Sequence, residues 1–142
     1  MAQIGKYPDS VYRVSLKAFV RDDEGRILVC KEGTENNWSL PGGGREHDET
    51  DQECLKRELY EELGYTDNID FRPITTKVFY SPIQDIQILW IVYEVQLDGI
   101  VDTVGEHTTA ITYIDPEEFK DSEFGTAKQA QAAIYQIYQS LS

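Results

Sequence analysis

Cysteine, proline and positive charge are all in short supply in this chain. Two cysteines and five prolines stand in 142 residues. Two cysteines cannot staple a fold into a disulfide framework, so stability has to come from an apolar core, which a single domain spanning 1–142 is long enough to bury. Cys30 and Cys54 read as reduced thiols inside a strand and a helix, which suits a cytoplasmic protein. Thirteen Lys and Arg face 26 Asp and Glu, a formal net charge of −13. A general nucleic-acid binder needs cations for the phosphates, so a chain this acidic is a poor one and no nucleic-acid partner is expected. An anionic membrane surface would repel such a chain. No apolar run approaches the ~20 residues of a membrane span, and residues 1–10 lack the apolar segment of a secretory signal. Repeats, low-complexity stretches and linkers are also missing.

What is present reads as an alternation of strands and helices. Residues 11–20 are rich in strand formers, Arg21-Asp22-Asp23-Glu24-Gly25 is a hairpin turn, and a second strand follows at 26–31. The acidic turn lacks the alternating ligands and closing Glu of an EF-hand. Residues 32–37 form a polar loop and 38–40 a short strand. A helix spans 50–63, two longer strands 69–80 and 85–97, and a short strand 110–114. Residues 88–95 are apolar nearly throughout, as expected of a central strand covered on both faces. Asp115-Pro116 opens another helical turn. The closing helix, 126–141, gathers Ala130, Ala133, Ile134, Ile137, Tyr138 and Leu141 on one side. These elements fit an α/β fold with a mixed sheet between helices, an α/β/α sandwich.

The chemistry concentrates between residues 41 and 65. Gly42, Gly43 and Gly44 form a loop whose backbone another group can approach closely and whose N–H groups can receive an anion. Thr50 or Asp51 can cap the following helix, with Glu53 three residues after Thr50 as in a capping box. Leu55, Leu59 and Leu63 make its apolar stripe, and Gly64 stops it. Glu58, Glu61 and Glu62 fall at i, i+3 and i+4, so one helical turn carries three carboxylates. Such like-charge neighbours repel by a few tenths of a kcal/mol per pair. Acidic helix faces are commonly just solvated surface. The glycine run and the capped helix beside this one favour a different reading, a seat for a hard divalent cation, which takes oxygen ligands and substrate phosphates.

The spacing completes the pattern G-x5-E-x7-R-E-U-x-E-E-x-G-U, where U is bulky and apolar. It is filled by Gly43, Glu49, Arg57, Glu58, Leu59, Glu61, Glu62, Gly64 and Tyr65. This stretch resembles the Nudix box; all seven fixed positions match, and Tyr65 stands where an aliphatic residue is commoner. The resemblance implies a Nudix-type α/β/α sandwich. It implies Mg²⁺-dependent hydrolysis, with Mn²⁺ as a substitute, of the pyrophosphate bond in a nucleoside diphosphate linked to another group. On that resemblance Glu61 and Glu62 would be metal ligands, and Glu58 a ligand or the general base. Arg57 would orient a glutamate, and the Gly43 backbone would add a carbonyl or N–H. Gly44 would shape the loop against substrate, and Glu49 would sit at the loop–helix junction, oriented by Arg57 or near the metal, or else capping the helix.

One feature departs from the family. Many members add a glutamate just before the strand read here as Ala110-Ile111-Thr112-Tyr113, and this chain has Ala or Thr there. Glu106 is the nearest acid and could reach in from farther out, or be a plain loop acid; His107 beside it could bind phosphate or act as a base, but reads more readily as a partly exposed loop histidine. His47 reads as a surface residue. Tyr12, Phe19, Trp38, Phe79, Tyr80 and Trp90 could stack on a base, though each is at least as well explained by the core. The length favours free nucleotides such as (d)NTPs, with nucleotide sugars close behind. A nucleotide-binding sensor without activity would have lost box acids, and none is lost. A prenyl diphosphate isomerase would need a catalytic Cys opposite an acid. A homodimer is the default assembly.

Overall fold

The computed structural model describes residues 9–31, 37–82, 84–99, 101–120 and 128–141. The polar loop expected at 32–37 lies outside these except for Asn37. The first two residues of the expected closing helix, 126–127, and most of the N-terminal ten also lie outside them. Six strands, two helices and a 3₁₀ turn are described: β1 Tyr12–Phe19, β2 Ile27–Lys31, β3 Gly42–Gly44, α1 Asp51–Leu63, β4 Ile69–Ser81, β5 Ile86–Leu97, β6 Ala110–Ile114, the turn Pro116–Phe119, and α2 Lys128–Ser140.

Strand order in the larger sheet is β3-β1-β5-β4, with β1 parallel to β5 and the other pairs antiparallel. A second sheet pairs β2 with β6, antiparallel. The expected central strand is β5, and it is covered on both faces. Tyr93 and Val95 enter a core with Leu16, Ala18, Cys54, Leu55, Leu59 and Leu63 beneath α1. Trp90 and Val92 enter another with Phe19, Phe119, Ile134 and Ile137 beneath α2. Each fully buried leucine of α1 stabilises this arrangement by roughly 2 kcal/mol. The mixed sheet with a helix on either side is the α/β/α layering expected.

Three local expectations change. The glycine run is not a loop: Gly42, Gly43 and Gly44 are strand β3, in register with Lys17, Leu16 and Ser15 of β1. Backbone pairing to β1 holds them, a long-range contact that glycine-rich composition hides. Residues 38–40 supply only one bridge, Cys30 with Ser39. The turn after β1 closes through Arg21 and Ile27, as a hairpin would, but its two strands then part into different sheets.

Candidate active site

Strand β3 and helix α1 meet edge to face, and the chain conformation there is set by glycine. Gly42 has φ +130°, and a Cβ added to it would lie 2.0 Å from the Leu16 carbonyl oxygen. No other residue fits. The Gly42 N–H donates to Glu62 Oε1 at 2.5 Å, so the anion received by the glycine backbone is the protein's own carboxylate. The Cys30 thiol donates to the other oxygen, Oε2, at 3.4 Å. Glu62 is only 5% exposed. Burial pushes its pKa up to about 7, against the opposing pull of the Lys17 charge and the Gly42 N–H.

Lys17 escaped the sequence reading. Its Nζ donates to the carbonyls of Leu40 (3.2 Å) and Gly42 (3.3 Å) and lies 5.3 Å from the centre of the Trp90 ring. It pins the strand that carries the acid's backbone donor. The available signal was a cation set between Leu16 and Ala18, in the apolar half of β1.

Arg57 is the hub of the acidic ridge. Its Nε and Nη2 donate to the two oxygens of Glu49 at 2.7 and 2.9 Å, a bidentate clamp. Nη1 donates to Glu58 at 2.9 Å and to Glu61 at 3.3 Å, and Nη2 also reaches the Gly44 carbonyl at 3.0 Å. Arg57 thus orients a glutamate, as the box resemblance implies, and pairs with Glu61 one helical turn on as well. Arg57 holds Glu49 well below the usual carboxylate range, at about 2. Helix capping falls instead to Thr50 and Glu53, which form the complete capping box. Glu58 is nearly buried, and burial raises its pKa despite Arg57. A Cβ placed on Gly43 would lie 2.8 Å from Glu58 Oε1, so the absence of a side chain makes room for this carboxylate.

The loop before β6 closes the C-terminal end of α1. The Gly105 N–H donates to the Glu62 carbonyl (2.7 Å), the His107 N–H to the Glu61 carbonyl (3.1 Å), and the Thr103 hydroxyl to the Leu63 carbonyl (2.9 Å). Carbonyls that the helix cannot satisfy itself are thereby paired. His107 Nδ1 comes to 3.6 Å from Glu61 Oε2. Glu106 stands between these two anchors, exposed. The fold therefore brings Gly43, Gly44, Glu49, Arg57, Glu58, Glu61 and Glu62 into one patch and sets the Glu106 backbone beside it.

Among the described residues, no three acidic, histidine or cysteine side chains converge on a single point. Arg57 draws Glu58 and Glu61 one way, and Gly42 draws Glu62 another. The donor set nevertheless suits a hard cation: it consists of carboxylate and backbone oxygens, and one guanidinium serves three carboxylates on the ridge and at its edge. Of the aromatic candidates, Phe19 and Trp90 are core, Trp38 and Phe79 are half-buried against it, and Tyr12 and Tyr80 are exposed. Cys30 and Cys54 are both buried thiols. Burial pushes the Cys54 thiol up to about 12, which leaves it inert.

A family model described as the NUDIX domain matches residues 11–138. A MutT-like protein of Streptomyces ambofaciens is 29% identical over 111 residues, which cover 78% of this chain and 69% of that protein. An RNA pyrophosphohydrolase of Halorhodospira halophila is 42% identical over 53 residues, 37% of this chain; the match spans only 29% of that relative's length. Among solved structures, the MutT protein from Methanosarcina mazei Go1 aligns with a TM-score of 0.68 at 20% identity, covering 94% of this chain and 96% of that one. At that identity the likeness is one of fold.

Proposed function

Because the chain belongs to the NUDIX family, with pyrophosphohydrolases among its relatives, we propose that it hydrolyses the pyrophosphate bond of a nucleoside diphosphate linked to another group, with Mg²⁺ as cofactor. The observation that carries this reading is the packing of Glu58, Glu61 and Glu62 on one ridge against a side-chain-free strand, with Arg57 tying the ridge together. Glu61, Glu62 and the Gly43 backbone would hold the cation. When bound, Mg²⁺ neutralises phosphate oxygens and lowers the pKa of water.

The chain's own groups do the rest. Glu58 accepts the proton of the attacking water; burial has already made it a stronger base than an ordinary carboxylate. Arg57 fixes the orientation of that carboxylate through Nη1, and Glu49 fixes Arg57 in turn. The glycines of β3 let the Glu58 carboxylate and the Arg13 guanidinium pack directly against the strand, so that both reach the groove beside it. A (d)NTP or a nucleotide sugar is the substrate class proposed.

Phosphate release from a panel of nucleotides with Mg²⁺ tests the reading. Turnover is expected on at least one substrate, and Glu62→Gln should reduce it about a thousandfold by removing a ligand charge beside the transition state. Full activity in that variant would contradict the site assignment.

A further inference from the structure

The six arginines of this chain divide in a telling way. Arg21, Arg26, Arg57 and Arg72 each hold a carboxylate within ion-pair distance. Arg13 and Arg45 pair with no carboxylate among the described residues, although acids outnumber bases 26 to 13. These two line the same open groove, about 480 Å³, whose other walls include Gly44, Arg57, Glu58 and Glu46, the last an exposed acid 3.9 Å from Arg57 Nη1. Local structure brings them together. The Arg45 N–H donates to the Val14 carbonyl at 3.0 Å where β3 leaves β1, so the residue after β3 sits beside the start of β1. Arg45 spends its guanidinium on the backbone carbonyl of Glu49, at 2.7 and 3.0 Å, which leaves its charge uncompensated. Arg13 lies over Gly44; a Cβ there would come to 2.7 Å from its Nη2.

Two guanidiniums in one groove, neither in ion-pair distance of a carboxylate among the described residues, offer an anion a place beside the proposed catalytic carboxylate. We infer that Arg13 and Arg45 form a phosphate subsite that accepts a third phosphate of the substrate, so that the chain favours nucleoside tri- or longer polyphosphates over diphosphate sugars. The inference rests on the hydrolase reading above and deepens it. The two phosphates flanking the cleaved bridge belong at the acidic ridge. A sugar in the groove would offer the guanidiniums only neutral hydroxyls, whereas a phosphate oxygen matches their planar fork and charge.

The test uses two uncleavable probes without a base, methylenediphosphonate and its three-phosphonate homologue, titrated calorimetrically with Mg²⁺. The intact chain should bind the longer probe at least tenfold more tightly. Arg13→Gln and Arg45→Gln should each weaken the longer probe about tenfold, as expected for a lost charge-assisted contact, and leave the shorter one within about threefold. Equal affinity of the intact chain for both probes, or equal losses on both in the variants, would overturn the subsite. Failure of the hydrolase reading shows separately, as absence of turnover across the nucleotide panel whatever the probe affinities.

Discussion

Glu62 sets a pH dependence that can be worked out in sign. Its pKa in the folded chain, about 7, lies above the ordinary 4.5 because burial penalises the carboxylate. Between those values the folded protein keeps a proton that the unfolded chain has released. Stability without metal therefore falls as pH rises through that window, by up to about 3 kcal/mol for the full shift. Thermal melts in EDTA from pH 4.5 to 8 should show this decline, and Glu62→Gln should flatten it; parallel curves for the two proteins would refute the assignment. Gly43 makes the second residue-scale prediction. Its Cβ would meet all three atoms of the Glu58 carboxyl group within 2.9 Å. Gly43→Ala should lower kcat about a hundredfold through misplacement of that carboxylate, with a melting temperature close to the parent's. The contact of Arg57 with Glu49 follows what the box resemblance implies, and its contact with Glu61 follows from helical spacing. Lys17 and the bond from Gly42 to Glu62 were not legible in the sequence, because they join segments 20 or more residues apart that only the folded sheet brings together.

At the scale of elements, α1 was legible nearly to the residue. Its capping box, leucine stripe and Gly64 stop are local signals, and each is present in the fold. The strand character of Gly42–Gly44 was not, since it depends on β1 as partner. The loop that seals α1 was also hidden, because nothing in residues 103–107 announces that their donors will find helix carbonyls. That loop carries a prediction of its own. A Cβ on Gly105 would lie 2.3 Å from the Glu61 carbonyl oxygen, a backbone atom that cannot swing aside. Gly105→Ala should lift the loop from the helix end and take Glu106 and His107 away from the ridge. Amide exchange at 103–107 should accelerate and kcat should fall at least tenfold; unchanged exchange would show that the loop does not depend on this contact.

At the scale of the whole molecule, the order of elements was readable from apolar periodicity, but the order of strands was not. Parallel pairing of β1 with β5 joins segments more than seventy residues apart, and the separation of β2 into its own sheet reverses what a hairpin turn suggests. The same assembly gathers negative charge at one edge of a chain with net charge −13. That concentration is electrostatically costly unless a cation joins it. The most direct test is anomalous diffraction from crystals soaked with Mn²⁺ and an uncleavable nucleoside diphosphate analogue. The account predicts a manganese peak within coordination distance of Glu61 and Glu62, with phosphate oxygens on its other side and Glu58 facing them. A peak elsewhere, or carboxylates still held only by Arg57 and Gly42 with the nucleotide bound at another face, would contradict it.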